Sequence, residues 1–136
     1  MDHLRAVGLG VLLWLVLFAM ASIVMFSPLG AGWITPVMLV LAPILAAIAA
    51  KYYLEEYRER QAWIGFCLGI IWLVVSAVLD YIVTVGVFKA ADFYNLGLLA
   101  GYLEIILVPT LVGWWLEGKR AGPAARAKAL KKKRRR

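Results

Sequence analysis

Four stretches of the chain stay apolar for about 20 residues each, at 6–26, 35–54, 63–88 and 96–116. That is the length an α-helix needs to cross a hydrocarbon core of about 30 Å. The runs are apolar on every face, without the two-residue alternation of a membrane barrel strand, so the pattern predicts helices. Lipid offers no partner to backbone N–H and C=O groups, and a helix satisfies them within one segment. The predicted fold is an all-α integral membrane four-helix bundle of residues 1–120, followed by a basic tail at 121–136 expected to be disordered.

The spans also resemble one another in pairs. Leu9-Gly10 followed by Trp14-Leu15-Val16 recurs as Leu68-Gly69 followed by Trp72-Leu73-Val74, and LAPIL at 41–45 recurs as LVPTL at 107–111. These matches suggest a duplicated helical hairpin, related by an axis along the membrane normal. Small residues four apart let helices approach closely in lipid. Gly65 with Gly69 and Gly97 with Gly101 are therefore candidate packing positions, as are Ala42, Ala46 and Ala50. Pro43 and Pro109 fall inside spans two and four, where each removes a backbone hydrogen bond.

Composition agrees with this pattern: of 136 residues 64% are hydrophobic, with a mean hydropathy of +0.84, well above a soluble domain. One cysteine, Cys67, and one histidine, His3, leave no intramolecular disulfide and no His/Cys metal or haem site. No cofactor is expected. Arg5 ahead of an apolar run ending near Ala19-Met20-Ala21 resembles a secretory signal, but the run continues to Phe26, so it is read as a retained span.

Charge gives the orientation. Basic residues near span ends mark the cytoplasmic side. One precedes span one (Arg5), three lie between spans two and three (Lys51, Arg58, Arg60), and ten follow span four. Those are fourteen of the fifteen, and only Lys89 falls in the other two connections. Both termini are thus expected in the cytoplasm of a multi-pass cell-membrane protein. The tail ends in Lys131, Lys132, Lys133, Arg134, Arg135 and Arg136. A cluster of this size next to a span reads as binding to anionic lipid headgroups. Sequence-blind contact with a phosphate polymer is the competing reading, and no specific nucleic-acid surface is apparent.

Two acids interrupt the spans, Asp80 and Glu104. If spans three and four end outside at Phe88 and Leu96, each acid lies eight residues, roughly 12 Å, below its end. A carboxylate at such depth costs about 2.5–3.5 kcal/mol, and no basic residue lies near that depth in any span to neutralise it. Ser76 and Thr84, four residues either side of Asp80, share its helix face. Tyr102 offers a hydroxyl nearby, whereas Tyr81 points about 100° away. The four polar residues Asp80, Glu104, Thr84 and Ser76 form a candidate proton- or cation-binding site; the plainer reading is two acids hydrogen-bonding across helices.

The connection at 51–63 carries i,i+3 and i,i+4 charge pairs and headgroup-level aromatics, and is read as an interfacial link. No phosphate-cradling glycine loop and no serine or cysteine nucleophile with a histidine partner occurs, so enzymatic function is not expected. No motif is specific enough to carry a family's function onto these residues. Two classes remain. The first is a non-enzymatic scaffold or accessory subunit, packed in a larger membrane complex or against a copy of itself. The alternative is a small homodimeric transporter using an Asp80/Glu104 dyad.

The charge distribution makes the topology testable. Cysteines placed at Gly32 and Asp92 are expected to react with a membrane-impermeant reagent from outside the cell. Labelling of either position only after the membrane is opened would reverse the orientation.

Overall fold

In the computed structural model, which describes residues 1–28, 30–57, 59–87 and 96–134, every long element is helical. The chain runs as α1 (His3–Phe26), a 3-10 turn (Ala31–Trp33), α2 (Ile34–Leu54), α3 (Gln61–Leu79) continued by a π-helical segment (Asp80–Val87), and α4 (Leu96–Arg134). Among the described residues, four of these helices are long and apolar enough to cross a membrane. The connection at 89–95, with Lys89 and Asp92, lies outside the described residues, as do Arg58, Arg135 and Arg136.

Local chemistry sets most helix ends. Asp2 caps α1, its side chain accepting from Arg5 N–H at 3.2 Å. At the other end of α1, Ser27 returns its N–H (3.2 Å) and its hydroxyl (2.7 Å) to the Val24 carbonyl, and Pro28 cannot continue the helix. Gly30 takes the left-handed φ of 76° that a side chain disfavours. The start of α3 is different. Arg60 precedes it at φ 53° without a side-chain cap. The orphan N–H of Ala62 is instead taken by Glu117 of α4, at 3.2 Å.

The helices form a ring in which α1 lies beside α2 and α3, and α4 beside α3 and α2. The Cα atoms of α1 and α4 nowhere approach within 8 Å, so these two stand across the diagonal. Against α1, α3 is parallel: Trp72 Nε1 donates to the Ala6 carbonyl at 2.9 Å and Trp14 Nε1 to Asp80 at 2.8 Å, each across 66 residues of sequence. The two tryptophans that the sequence repeat would make equivalent therefore hold different partners.

Between α3 and α4 the packing is antiparallel and backbone-close, and glycine permits it. A Cβ on Gly65 would overlap the Pro109 carbonyl, one on Gly69 would sit 2.8 Å from the Ile106 Cα, and one on Gly113 would overlap the Gln61 carbonyl. Gly69 also faces the Ile105 carbonyl, 3.0 Å from that Cβ position. Ile105 is the residue whose intrahelical donor Pro109 has removed. Gly101 behaves otherwise, for a Cβ there meets nothing within 4 Å. On α2 the small positions Ala42, Ala46 and Ala50 are buried. Outward faces stay apolar: Leu99, Leu103, Leu107 and Leu111 of α4 and Val40, Ile44 and Ile48 of α2 are all exposed, as suits helices solvated by lipid.

The end of the bundle carrying the N-terminus, the α2–α3 connection and the emergence of α4 is called here the basic end. It is tied by polar contacts. Tyr53 donates to the Asp2 carbonyl (2.8 Å), Asp2 N–H to the Tyr57 hydroxyl (2.9 Å) and Gln61 to the Leu54 carbonyl (2.8 Å). Arg5 pairs with Glu56, which holds the Glu56 carboxyl below its ordinary range. Arg120 of α4 grips the Tyr57 carbonyl (2.6 Å) and the Glu55 carbonyl (3.2 Å). Beyond this collar α4 continues as a helix to Arg134, where a disordered tail was expected from composition.

Glycine contacts generate a ranking. Gly65→Ala and Gly113→Ala are expected to destabilise the bundle by about 1–3 kcal/mol through overpacking. Gly101→Ala, entering open space, should be neutral or stabilise by up to about 1 kcal/mol. Unfolding in mixed detergent–SDS micelles measures all three, and an equal cost at Gly65 and Gly101 would contradict the contact geometry.

Candidate functional site

One stripe of α3 and its π-helical continuation is buried throughout: Gln61, Gly65, Leu68, Gly69, Trp72, Ser76, Asp80 and Thr84. Spacing of three and four puts these residues on one face. The stripe ends in its polar members, so the candidate residues Ser76, Asp80 and Thr84 do share the inward face, and Asp80 is 7% exposed.

Asp80 meets two donors from two other helices. Its Oδ1 accepts the Trp14 indole N–H of α1 at 2.8 Å, and its Oδ2 accepts the Tyr102 hydroxyl of α4 at 2.7 Å. Each oxygen thus has a neutral donor aimed at it. Low-dielectric surroundings strengthen such bonds. The carboxylate also joins α1 to α4, whose backbones do not meet. Trp14 is itself held by stacking on Phe18, with centroids 5.0 Å apart.

Glu104 does not join this cluster. The α3–α4 contacts set Gly69 against Ile105 and Ile106, which places Glu104 level with about residue 70. Asp80 lies some ten residues further along α3, roughly 15 Å away in level. The matched depth expected for the two acids assumed that spans three and four end level at Phe88 and Leu96. Helix register is instead set by which glycines meet which carbonyls, and it offsets the acids by nearly three turns. Glu104 is half-buried, and its Oε2 has no hydrogen-bond partner among the described residues.

The π-helical segment opens at Asp80 itself. A change from i→i+4 to wider bonding is rare and recurs at functional sites. Its effect here is visible at Thr84. In α-helical turns Thr110 donates back to the Ile106 carbonyl and Ser22 to the Phe18 carbonyl, each at 2.8 Å. The Thr84 hydroxyl, buried in the π-helical turn, has no partner among the described residues. From Asp80 outward, moreover, no Cα of this segment comes within 8 Å of another span among the described residues.

Sequence reasoning did not find Trp14 as a partner of Asp80. A signal existed, because an indole N–H in mid-span needs an acceptor, and Asp80 is the acid on the parallel span. Tyr102 was among the nearby hydroxyls and does reach the carboxylate, while Tyr81 is exposed. Of the packing glycines, Gly65 and Gly69 lie close against α4, a Cβ on Gly101 would meet nothing within 4 Å, and the close approaches at Gly10, where a Cβ would sit 2.8 Å from Trp72 Cδ1, and at Gly113 were not anticipated. No group of three or more metal-ligating side chains occurs among the described residues. Compared with known proteins, the chain matches no family model, no curated protein and no solved structure.

Trp14→Phe and Tyr102→Phe are each expected to cost about 0.6–2 kcal/mol, the usual range for interhelical hydrogen bonds in membranes. Neither loss should appear in an Asp80→Leu background. Asp80→Asn and Glu104→Gln should add to within about 0.5 kcal/mol, as separated sites do. Unfolding of the single and double variants in detergent tests both statements, and strong coupling between the two acid variants would bring them back into one site.

Proposed function

We propose that the protein is a small non-enzymatic scaffold or accessory subunit of a membrane assembly, multi-pass, with both termini in the cytoplasm. The observation that carries this reading is the Asp80 clasp, in which both carboxylate oxygens are occupied by donors of the same chain, Trp14 and Tyr102. A polar residue used in this way serves to fix helix positions. The backbone-close α3–α4 contact and the collar of hydrogen bonds around Arg120 have the same consequence. They give a rigid body whose outward faces are apolar and suited to packing against other spans. The 14-to-1 division of basic residues supports the orientation. Pairing of Asp80 with Glu104, on which the transporter alternative relied, is not favoured by the α3–α4 register.

Purified protein in proteoliposomes loaded with a pH-sensitive dye, under an imposed potassium diffusion potential, tests this reading. Proton flux is expected to equal that of protein-free vesicles for wild type, Asp80→Asn and Glu104→Gln alike. Flux in wild type that Asp80→Asn abolishes would replace the scaffold with an ion-handling protein.

A further inference from the structure

The extension of α4 is the largest feature that the scaffold reading leaves unused. Residues 119–136 hold ten Lys and Arg and no acid. The helix is continuous from Leu96 to Arg134, 39 residues or about 58 Å at 1.5 Å per residue, and carries eight of the ten. Its exit is fixed. Trp114 and Trp115 are exposed, of the residue type that anchors at headgroups, and the Lys119 ammonium lies 3.7 Å over the Trp115 ring. One residue later Arg120 is locked onto the carbonyls of Tyr57 and Glu55.

From that lock the backbone rises roughly 16 Å to Lys131 and roughly 21 Å to Arg134. Charges in water are screened over about 8 Å at physiological salt. The densest basic cluster therefore sits about two screening lengths beyond the collar. Attraction to anionic headgroups of the same membrane has largely decayed at that height. Pro123 removes one hydrogen bond, to the Lys119 carbonyl, and the helix continues through it to Arg134.

Nor does the sequence give the rod a face for lying on a bilayer. An interfacial helix needs an apolar side. Here the consecutive positions 131–134 alone sweep about 300° of the helix circumference, and Leu130 is the one large apolar residue after Leu116. Without aromatic or aliphatic anchors there is also no centre for a protein–protein interface. A helix with eight Lys and Arg positions between 119 and 134 and no acid fits a flexible chain of phosphates, which it neutralises with release of counterions and without reading bases.

We propose that the α4 extension is a sequence-blind RNA-binding rod, contacting the phosphate backbone of RNA on the side of the membrane where the termini lie. The proposal goes beyond the scaffold reading and does not rest on the Asp80 clasp. A flux result that removed the scaffold would leave it standing.

The full chain in phosphatidylcholine nanodiscs, titrated with a fluorescein-labelled 20-nucleotide RNA and followed by anisotropy, provides the test. Binding at 50 mM KCl is expected to weaken about 10²–10³-fold at 200 mM, the salt dependence of several neutralised phosphates. Lys131→Gln/Lys132→Gln/Lys133→Gln, which keeps the helix, should lose most of the affinity, as should truncation after Arg120. In nanodiscs with one-third phosphatidylserine, wild type should still bind RNA, weakened less than tenfold. An Ala124→Gly/Ala125→Gly/Ala127→Gly hinge, which lets the tail fold back, should become strongly lipid-sensitive. Absence of RNA binding at 50 mM KCl, or its loss in phosphatidylserine discs for wild type as for the hinge variant, overturns the proposal. The second of these outcomes assigns the tail to its own bilayer.

Discussion

A carboxylate inside a membrane span must find hydrogen-bond donors, and the positions of three helices follow from where Asp80 finds them. Lipid supplies none, so the donors come from the chain: the indole of Trp14 on α1 and the phenol of Tyr102 on α4. Both are bulky groups with one polar atom at the far end, so they reach across a bundle centre that backbones cannot. Because α1 and α4 have no backbone contact, the carboxylate fixes a distance that packing alone leaves undefined.

Packing and polar bonding divide the length of the molecule between them. Toward the basic end, glycines at 65, 69 and 113 let α3 and α4 touch backbone to backbone, where dispersion forces act over many atoms at once. The α2–α3 connection is then held from both sides, by Asp2 and Arg5 of the N-terminus and by Glu117 and Arg120 of α4. Past Asp80 the helical bonding widens into the π form, and among the described residues Thr84 has no partner and no Cα of the segment comes within 8 Å of another span.

Sequence and structure use the same residues with different weight. Gly65-x-x-x-Gly69 and Gly97-x-x-x-Gly101 are indistinguishable as motifs, yet Gly65 and Gly69 lie against α4 whereas Gly101 faces open space. Spacing puts two glycines on one side of a helix, but only the neighbour's position decides whether that side is occupied. Cys67 is a free cysteine, half-buried in α3.

What the amino-acid sequence determined by itself was whatever depends on one helix and its solvent. The four apolar runs, their helical state, the buried face shared by Ser76, Asp80 and Thr84, and the asymmetry of basic charge all follow from length, periodicity and the absence of water in lipid. The tertiary structure alone decided what depends on register between helices. It gave Asp80 to Trp14 and Tyr102, removed Glu104 by nearly three turns, and set an α4 glutamate to cap α3. It also continued α4 as a helix to Arg134. Register is fixed by contacts between residues tens of positions apart, such as Gly65 with Pro109 and Trp72 with Ala6. A span that is apolar on every side carries no mark of which residue its neighbour will meet.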